Sequence, residues 1–151
     1  MSEVQKPIVV IDIDGTIAEV GARGRYFEQN PINWDAFYQE SFDDKPIRNV
    51  CEFVMLMRDK YDIFFCTARR ESVRKKTQEW LKKNLDFQPT DYTLIMRSNV
   101  DDRPDYVQKI DSFVAETTDE ERQRVRFVVD DSTTVAMMWK IKLGYRVFKL
   151  T

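Results

Sequence analysis

Pro7-Ile8-Val9-Val10-Ile11-Asp12-Ile13-Asp14-Gly15-Thr16 is the stretch on which the fold turns. Five apolar residues, rich in β-branched side chains, run without a polar break into an aspartate. A short continuous run of this kind suits a strand buried on both faces, as in a parallel sheet. Asp12 and Asp14 stand two apart on extended chain and can face the same side. Gly15 then permits a tight turn and leaves backbone N–H groups free for an anion.

Four more apolar runs lie downstream: Tyr61 to Cys66, Tyr92 to Met96, Val125 to Val129 and Tyr145 to Leu150. Between them the spacing predicts helices over Arg48 to Lys60, Ser72 to Asn84, Pro104 to Glu116 and Ser132 to Leu143. Pro104 suits a first helical turn, Ser132 an N-cap and Gly144 a C-terminal stop. Strands alternating with helices predict an α/β fold, a doubly wound Rossmann-like parallel sheet of about five strands. The stretch 17–46 breaks the rhythm. It carries Gly21, Gly24, Pro31 and the aromatics Trp34, Phe37, Tyr38 and Phe42, and reads as a small cap or lid inserted after the first strand of a single domain spanning 1–151.

Ligands of open α/β sheets bind beyond the carboxyl ends of the strands. The first run leads into Asp12 and Asp14, the second into Thr67, Arg69 and Arg70, the fourth into Asp130 and Asp131. One aspartate after a strand is most often a turn or cap residue. Two carboxylate pairs at two buried strand ends repel unless a cation lies among them, and a hard divalent ion such as Mg²⁺ suits such a set together with a phosphate. One carboxylate can then attack phosphorus while its neighbour handles the leaving group's proton.

Composition narrows the chemistry further. The 151 residues contain no histidine, which excludes a Ser-His-Asp triad, a Cys-His pair and histidine-ligated zinc. Cys51 and Cys66 sit in apolar runs and read as reduced core thiols. The net charge of -2 provides no global field for nucleic acid, so any such contact must be local, at an end or a short strand. No segment reads as a signal peptide or membrane span, so the expected location is cytoplasmic, the host cytoplasm for a phage-encoded chain.

DIDGT after an apolar strand, with VVDDS later, resembles the haloacid-dehalogenase superfamily of phosphotransferases. That resemblance implies Mg²⁺ as cofactor, Asp12 as nucleophile and Asp14 as general acid/base. It also implies Thr67 as a phosphate-binding hydroxyl and Asp130 and Asp131 as metal ligands beside Asp12 and the backbone carbonyl of Asp14. On spacing alone Lys109 is equally a solvated helix lysine; the resemblance makes it the lysine that steadies nucleophile and phosphoryl group. Over nearly the whole length, through Thr67-Ala68-Arg69-Arg70-Glu71, Arg103 to Lys109 and Met138-Trp139, the chain is similar to the 3′-phosphatase domains of phage polynucleotide kinase/phosphatases. The kinase half has no counterpart here, since no G-x-x-x-x-G-K-[ST] loop occurs.

Substrate recognition is expected from arginines at the predicted mouth. Arg69, Arg70 and Arg103 are the substrate-binding candidates, with Arg23, Arg25 and Arg97 nearby. Tyr26, Phe27 and Trp34 could stack on a base, although Trp34, Phe37 and Phe42 read more simply as a core that pins the lid. The family resemblance implies a phosphorylated nucleic-acid end as substrate, specifically a 3′-phosphate. The alternatives are a nucleotidase acting on free nucleoside monophosphates and a non-enzymatic receiver-like domain that accepts phosphate on aspartate. A receiver has no use for a second aspartate at position 14.

Overall fold

The structure, a computed structural model, describes residues 4–151. Its elements in chain order are β1 (Ile8–Ile11), α1 (Trp34–Gln39), α2 (Arg48–Met57), β2 (Asp62–Arg70), α3 (Arg74–Leu85), β3 (Tyr92–Arg97), α4 (Asp105–Glu116), α5 (Asp119–Arg124), β4 (Val125–Asp130), α6 (Thr133–Leu143) and β5 (Val147–Lys149). The strands form one five-stranded, all-parallel sheet in the order β3-β2-β1-β4-β5. The chain winds from β1 outward to β3, then crosses back to β4 on the other side of β1. The switch in winding direction therefore lies between β1 and β4, where such sheets open a crevice at their carboxyl end.

Side-chain alternation explains how one apolar run feeds two cores. Val9 and Ile11 point to the face covered by α2 and α3, where they pack with Phe65, Trp80 and Leu81. Ile8 and Val10 point to the opposite face, with Phe64, Phe113 and Trp139 from β2, α4 and α6. Trp80 and Trp139 are fully buried, and each large apolar side chain removed from water stabilises the fold by about 1.5–3 kcal/mol. Cys51 and Cys66 are free, buried thiols, and burial pushes them up to about 11 and about 12 respectively.

The helix ends obey local chemistry. The Ser132 hydroxyl accepts from Val135 N–H at the start of α6, and Gly144 closes α6 in the left-handed region at φ 72°. α5 was not expected from apolar periodicity. It is a short charged helix held by a capping box in which Thr118 and Glu121 satisfy each other's backbone N–H groups. β2 runs on to Arg70, four residues beyond its apolar run, and β5 is shorter than its run at both ends.

Residues 17–46 contain a 3-10 helix (Gly21–Glu28), α1 and a second 3-10 turn (Glu40–Asp43). Phe37 is buried at the centre of this segment among Tyr26, Phe27, Trp34 and Tyr38. These aromatics pack on one another, while Phe42 lies apart under the Lys83 ammonium. The two ends of the segment meet where Ala18 bridges Pro46, and Trp80 Nε1 of α3 donates to the Asp44 carbonyl at 2.8 Å.

Candidate active site

Asp12 follows β1 directly, and its N–H donates to the Val129 carbonyl at 2.9 Å, which continues the sheet by one more rung. By alternation its side chain faces the α4 side. There Lys109 Nζ, on a buried stripe of α4, donates to Asp12 Oδ1 at 2.6 Å and to Asp130 Oδ2 at 2.9 Å. All three side chains are nearly inaccessible to solvent. Thr16 Oγ1 lies 3.1 Å from Asp12 Oδ2 and 3.2 Å from Asp131 Oδ1, one hydroxyl shared by two carboxylates. The Ser132 N–H donates to Asp130 Oδ1 at 3.0 Å.

Carboxylate oxygens of Asp12, Asp130 and Asp131 come within 4.8 Å of one another. Of these three carboxylates, Asp12 and Asp130 pair with the single ammonium of Lys109, and Asp131 has no cationic partner among the described residues. Burial, with the neighbouring Asp130 adding to it, pushes the Asp12 carboxyl well above its ordinary range although Lys109 pulls it back. For Lys109 burial disfavours the charge, but Asp12 and Asp130 outweigh it and hold the ammonium well above its usual value. An all-oxygen donor set with uncompensated negative charge fits a hard divalent cation such as Mg²⁺.

Asp14 is also near β1 but keeps different company. Its Oδ1 accepts from Arg23 and from Arg69 Nη2, both at 2.8 Å, and its Oδ2 from Arg69 Nε at 3.1 Å. Asp44 takes the same two guanidiniums at 2.5 and 3.3 Å. Burial works against the charge on Asp14, yet Arg69 and then Arg23 outweigh it, and its carboxyl lies below the ordinary range. For Asp44 burial prevails over the same arginines and the carboxyl is raised. Gly15 turns the chain between the two sets at φ 82°. A Cβ there would stand 2.3 Å from Asp131 Oδ2, so the turn brings backbone and carboxylate closer than any other residue would permit.

Thr67 is buried in β2, and its hydroxyl accepts from the Arg69 N–H at 3.1 Å. Since Ile11 is in register with Phe65, Thr67 stands on the neighbouring strand level with the Asp12-Asp14 stretch. Arg69, expected to reach the substrate, is wholly buried on Asp14, Asp44 and Thr77, so its guanidinium orients Asp14 instead of opening to solvent. Arg70 pairs with Asp102 at 2.5 Å, and half-exposed Arg103 pairs with Asp101 and Asp111 at 2.9 and 2.6 Å. Both line a cleft of about 390 Å³ with Pro31, Trp34, Tyr38 and Pro104.

Three residues of the arrangement carry no sequence signal of their own. Arg23 stands in the reading only as one of several lid arginines; its pairing with Asp14 follows from the path of 17–46, which spacing does not define. Asp44 and Thr77 meet Arg69 only in three dimensions. Thr16 lies inside the quoted motif and is the one neighbour of Asp12 that spacing could have supplied.

The family described as polynucleotide kinase PNKP phosphatase domain matches residues 6–151. A chain in a Pnkp1/Rnl/Hen1 complex superposes with a TM-score of 0.76 at 26% identity, covering 98% of this chain and 47% of that one. A chain in a structure of the Pnkp1/Rnl/Hen1 RNA repair complex gives 0.78 at 25% identity, covering 96% and 42%. The chain thus spans less than half the length of these two. A haloacid dehalogenase-like hydrolase from Streptococcus pneumoniae shares the fold, with a TM-score of 0.65 at 11% identity over 97% of this chain and 85% of the other. Comparison with curated proteins finds no match. Among the described residues no helix is long and apolar enough to cross a membrane.

Proposed function

The chain belongs to the polynucleotide kinase PNKP phosphatase-domain family of haloacid-dehalogenase-like phosphatases, and from that premise we propose that it removes 3′-phosphates from polynucleotide ends through an aspartyl-phosphate on Asp12. The observation that carries this reading is the environment of Asp12: a buried carboxylate at the winding switch, one oxygen on Lys109, the other on Thr16, with Asp130 and Asp131 beside it.

In the first half-reaction an Asp12 carboxylate oxygen bonds to phosphorus as the P–O3′ bond breaks, and the departing O3′ takes a proton from Asp14. In the second, Asp14 takes a proton from water, the water oxygen bonds to phosphorus, and the Asp12–phosphorus bond breaks to release inorganic phosphate. Asp14 starts ionised between Arg69 and Arg23, which suits the second half. A dianionic phosphate ester beside it opposes those guanidiniums and raises its affinity for the proton needed in the first. Lys109 and Thr67 hold phosphate oxygens, and Arg69 and Arg23 fix the Asp14 carboxylate. Asp12, Asp130, Asp131 and the main-chain carbonyl of Asp14 would hold Mg²⁺, which when bound neutralises charge on the non-bridging oxygens.

The cleft walled by Trp34, Tyr38, Arg70 and Arg103 has room for the terminal nucleoside. A free nucleoside monophosphate would fit the same space, so nucleotidase activity is the competing enzymatic reading. Asp14 argues against a receiver, which needs the phosphoryl group to persist. Phosphate release from a 3′-phosphorylated oligonucleotide, a nucleoside 3′-monophosphate and a nucleoside 5′-monophosphate, with Mg²⁺, tests the choice. The oligonucleotide is expected to be the best substrate by kcat/KM, and no release from it would overturn the reading. Asp12→Asn is expected to lower turnover about 10⁴-fold or more. Asp14→Asn is expected to leave phosphoenzyme detectable after acid quench.

A further inference from the structure

Charge is unevenly spread along the chain. Residues 132–151 hold Lys140, Lys142, Arg146 and Lys149 and no Asp or Glu, so all 26 acidic residues and the other 20 basic ones precede them. That basic stretch forms α6 and β5 at one edge of the sheet. Between the two elements runs a groove of about 440 Å³ lined by Thr133, Met137, Lys140, Tyr145, Arg146 and Lys149, with no carboxylate in its walls. Its three cations are exposed. Among the described residues none of them has a carboxylate partner, a state shared by other exposed lysines such as Lys75 and Lys82; what sets these three apart is that they line one carboxylate-free groove together.

The groove begins at the candidate active site. Thr133 follows Asp130, Asp131 and the capping Ser132 directly. Lys149 is in register with Asp130, and the Leu150 N–H donates to the Asp130 carbonyl at 3.0 Å. From there the groove follows α6 down to Gly144, an 11-residue helix and so a run of about 16 Å.

We propose that this groove carries the sugar–phosphate backbone of a single-stranded polynucleotide whose end lies at Asp12, an inference that rests on the polynucleotide reading above. A strand is a row of like charges, and a row of unpartnered cations matches it where a lone phosphate would not. The carboxylates of the site repel an approaching polyanion, and cations beside them offset that repulsion. A mononucleotide places its only phosphate at Asp12 and leaves the groove empty. An acidic protein would match the charge equally, but nothing would require it to start at the catalytic carboxylates.

The test compares the full chain with a Lys140→Gln/Arg146→Gln/Lys149→Gln variant. One arm measures kcat/KM on 3′-phosphorylated single strands of increasing length and on a nucleoside 3′-monophosphate. The other measures binding of 5′-fluorescein strands ending in 3′-OH, by anisotropy across a salt series. The wild type is expected to gain efficiency with length. The variant is expected to lose about tenfold or more on the longest strand, to lose about 2 from the slope of log K against log salt, and to keep monophosphate turnover. Lys142→Gln, outside the groove, is expected to change the slope by less. Unchanged length dependence and salt slope in the triple variant would overturn the proposal. If the wild type released no phosphate from any strand, the substrate reading would fail, and the 3′-OH binding arm would still judge the groove.

Discussion

Two largely buried clusters lie side by side at the end of β1, and they are built on opposite electrostatic plans. Around Asp12, three carboxylates gather, and the one ammonium of Lys109 pairs with two of them. Around Asp14, two carboxylates meet two guanidiniums, and every strong donor has an acceptor. The first is short of positive charge and can accept a cation or change its covalent state at little cost. The second is balanced, and moving any member of it breaks several bonds at once. A nucleophile and a proton carrier two residues apart thus receive different environments, one made to change and one made to stay in place.

Removing a member of the balanced cluster should have the largest effect on folding. Arg69→Met keeps the bulk but leaves the buried Asp44 carboxylate and the partly buried Asp14 with Arg23 alone, and is expected to cost about 3–5 kcal/mol in urea unfolding at neutral pH. The pH dependence has a definite sign. Because the Asp14 carboxyl is lowered in the fold, its contribution is full above the ordinary carboxylate value of 3.8 and fades as pH falls through the lowered one. The gap between variant and wild type should therefore narrow in acid. A gap that stayed constant down to pH 2 would mean that Arg69 acts by packing alone.

The charge-deficient cluster should respond to cations instead. Mg²⁺ at a hundredfold excess over its Kd is expected to stabilise the wild type by about 2.7 kcal/mol, a rise in Tm of about 5–10 °C. Asp130→Asn should abolish most of that increment, and Arg69→Met, although less stable throughout, should retain it. Equal Mg²⁺ increments in wild type and Asp130→Asn would remove Asp130 from the metal set.

These two clusters were unequally legible in the sequence. Asp12, Asp130 and Asp131 each follow a buried strand directly, and strand ends converge whatever the loops do. Lys109 was accessible only through resemblance, because helix periodicity places it on α4 without saying which way the stripe turns. The balanced cluster was half hidden. Asp14 belongs to the motif, but Arg23 and Asp44 come from opposite ends of the 17–46 insertion, whose path depends on aromatic packing around Phe37 with no repeating pattern. Arg69, two residues from Thr67, reads in the sequence as a substrate-binding arginine at the mouth of the site. That β2 continues to Arg70, and so carries Arg69 inward, is marked after Cys66 only by the single small Ala68.

Gly15 joins the clusters, and it provides the finest test of their separation. Gly144 has a similar backbone, φ 72° against 82°, but a Cβ on Gly144 would meet nothing within 4 Å, while one on Gly15 would meet Asp131 Oδ2 at 2.3 Å. Alanine at either position bears the strain of the left-handed region, about 1 kcal/mol or somewhat more. Only at position 15 must Asp131 also move. Gly144→Ala should therefore lose stability equally with and without Mg²⁺, whereas Gly15→Ala should lose more with Mg²⁺ than without, since a displaced Asp131 supports the ion less well. Urea midpoints for both variants, each measured with and without Mg²⁺, read the difference directly. If the two glycines gave the same Mg²⁺ increment, Asp131 would be a partner of Thr16 only, and the charge-deficient cluster would reduce to Asp12 and Asp130 around Lys109.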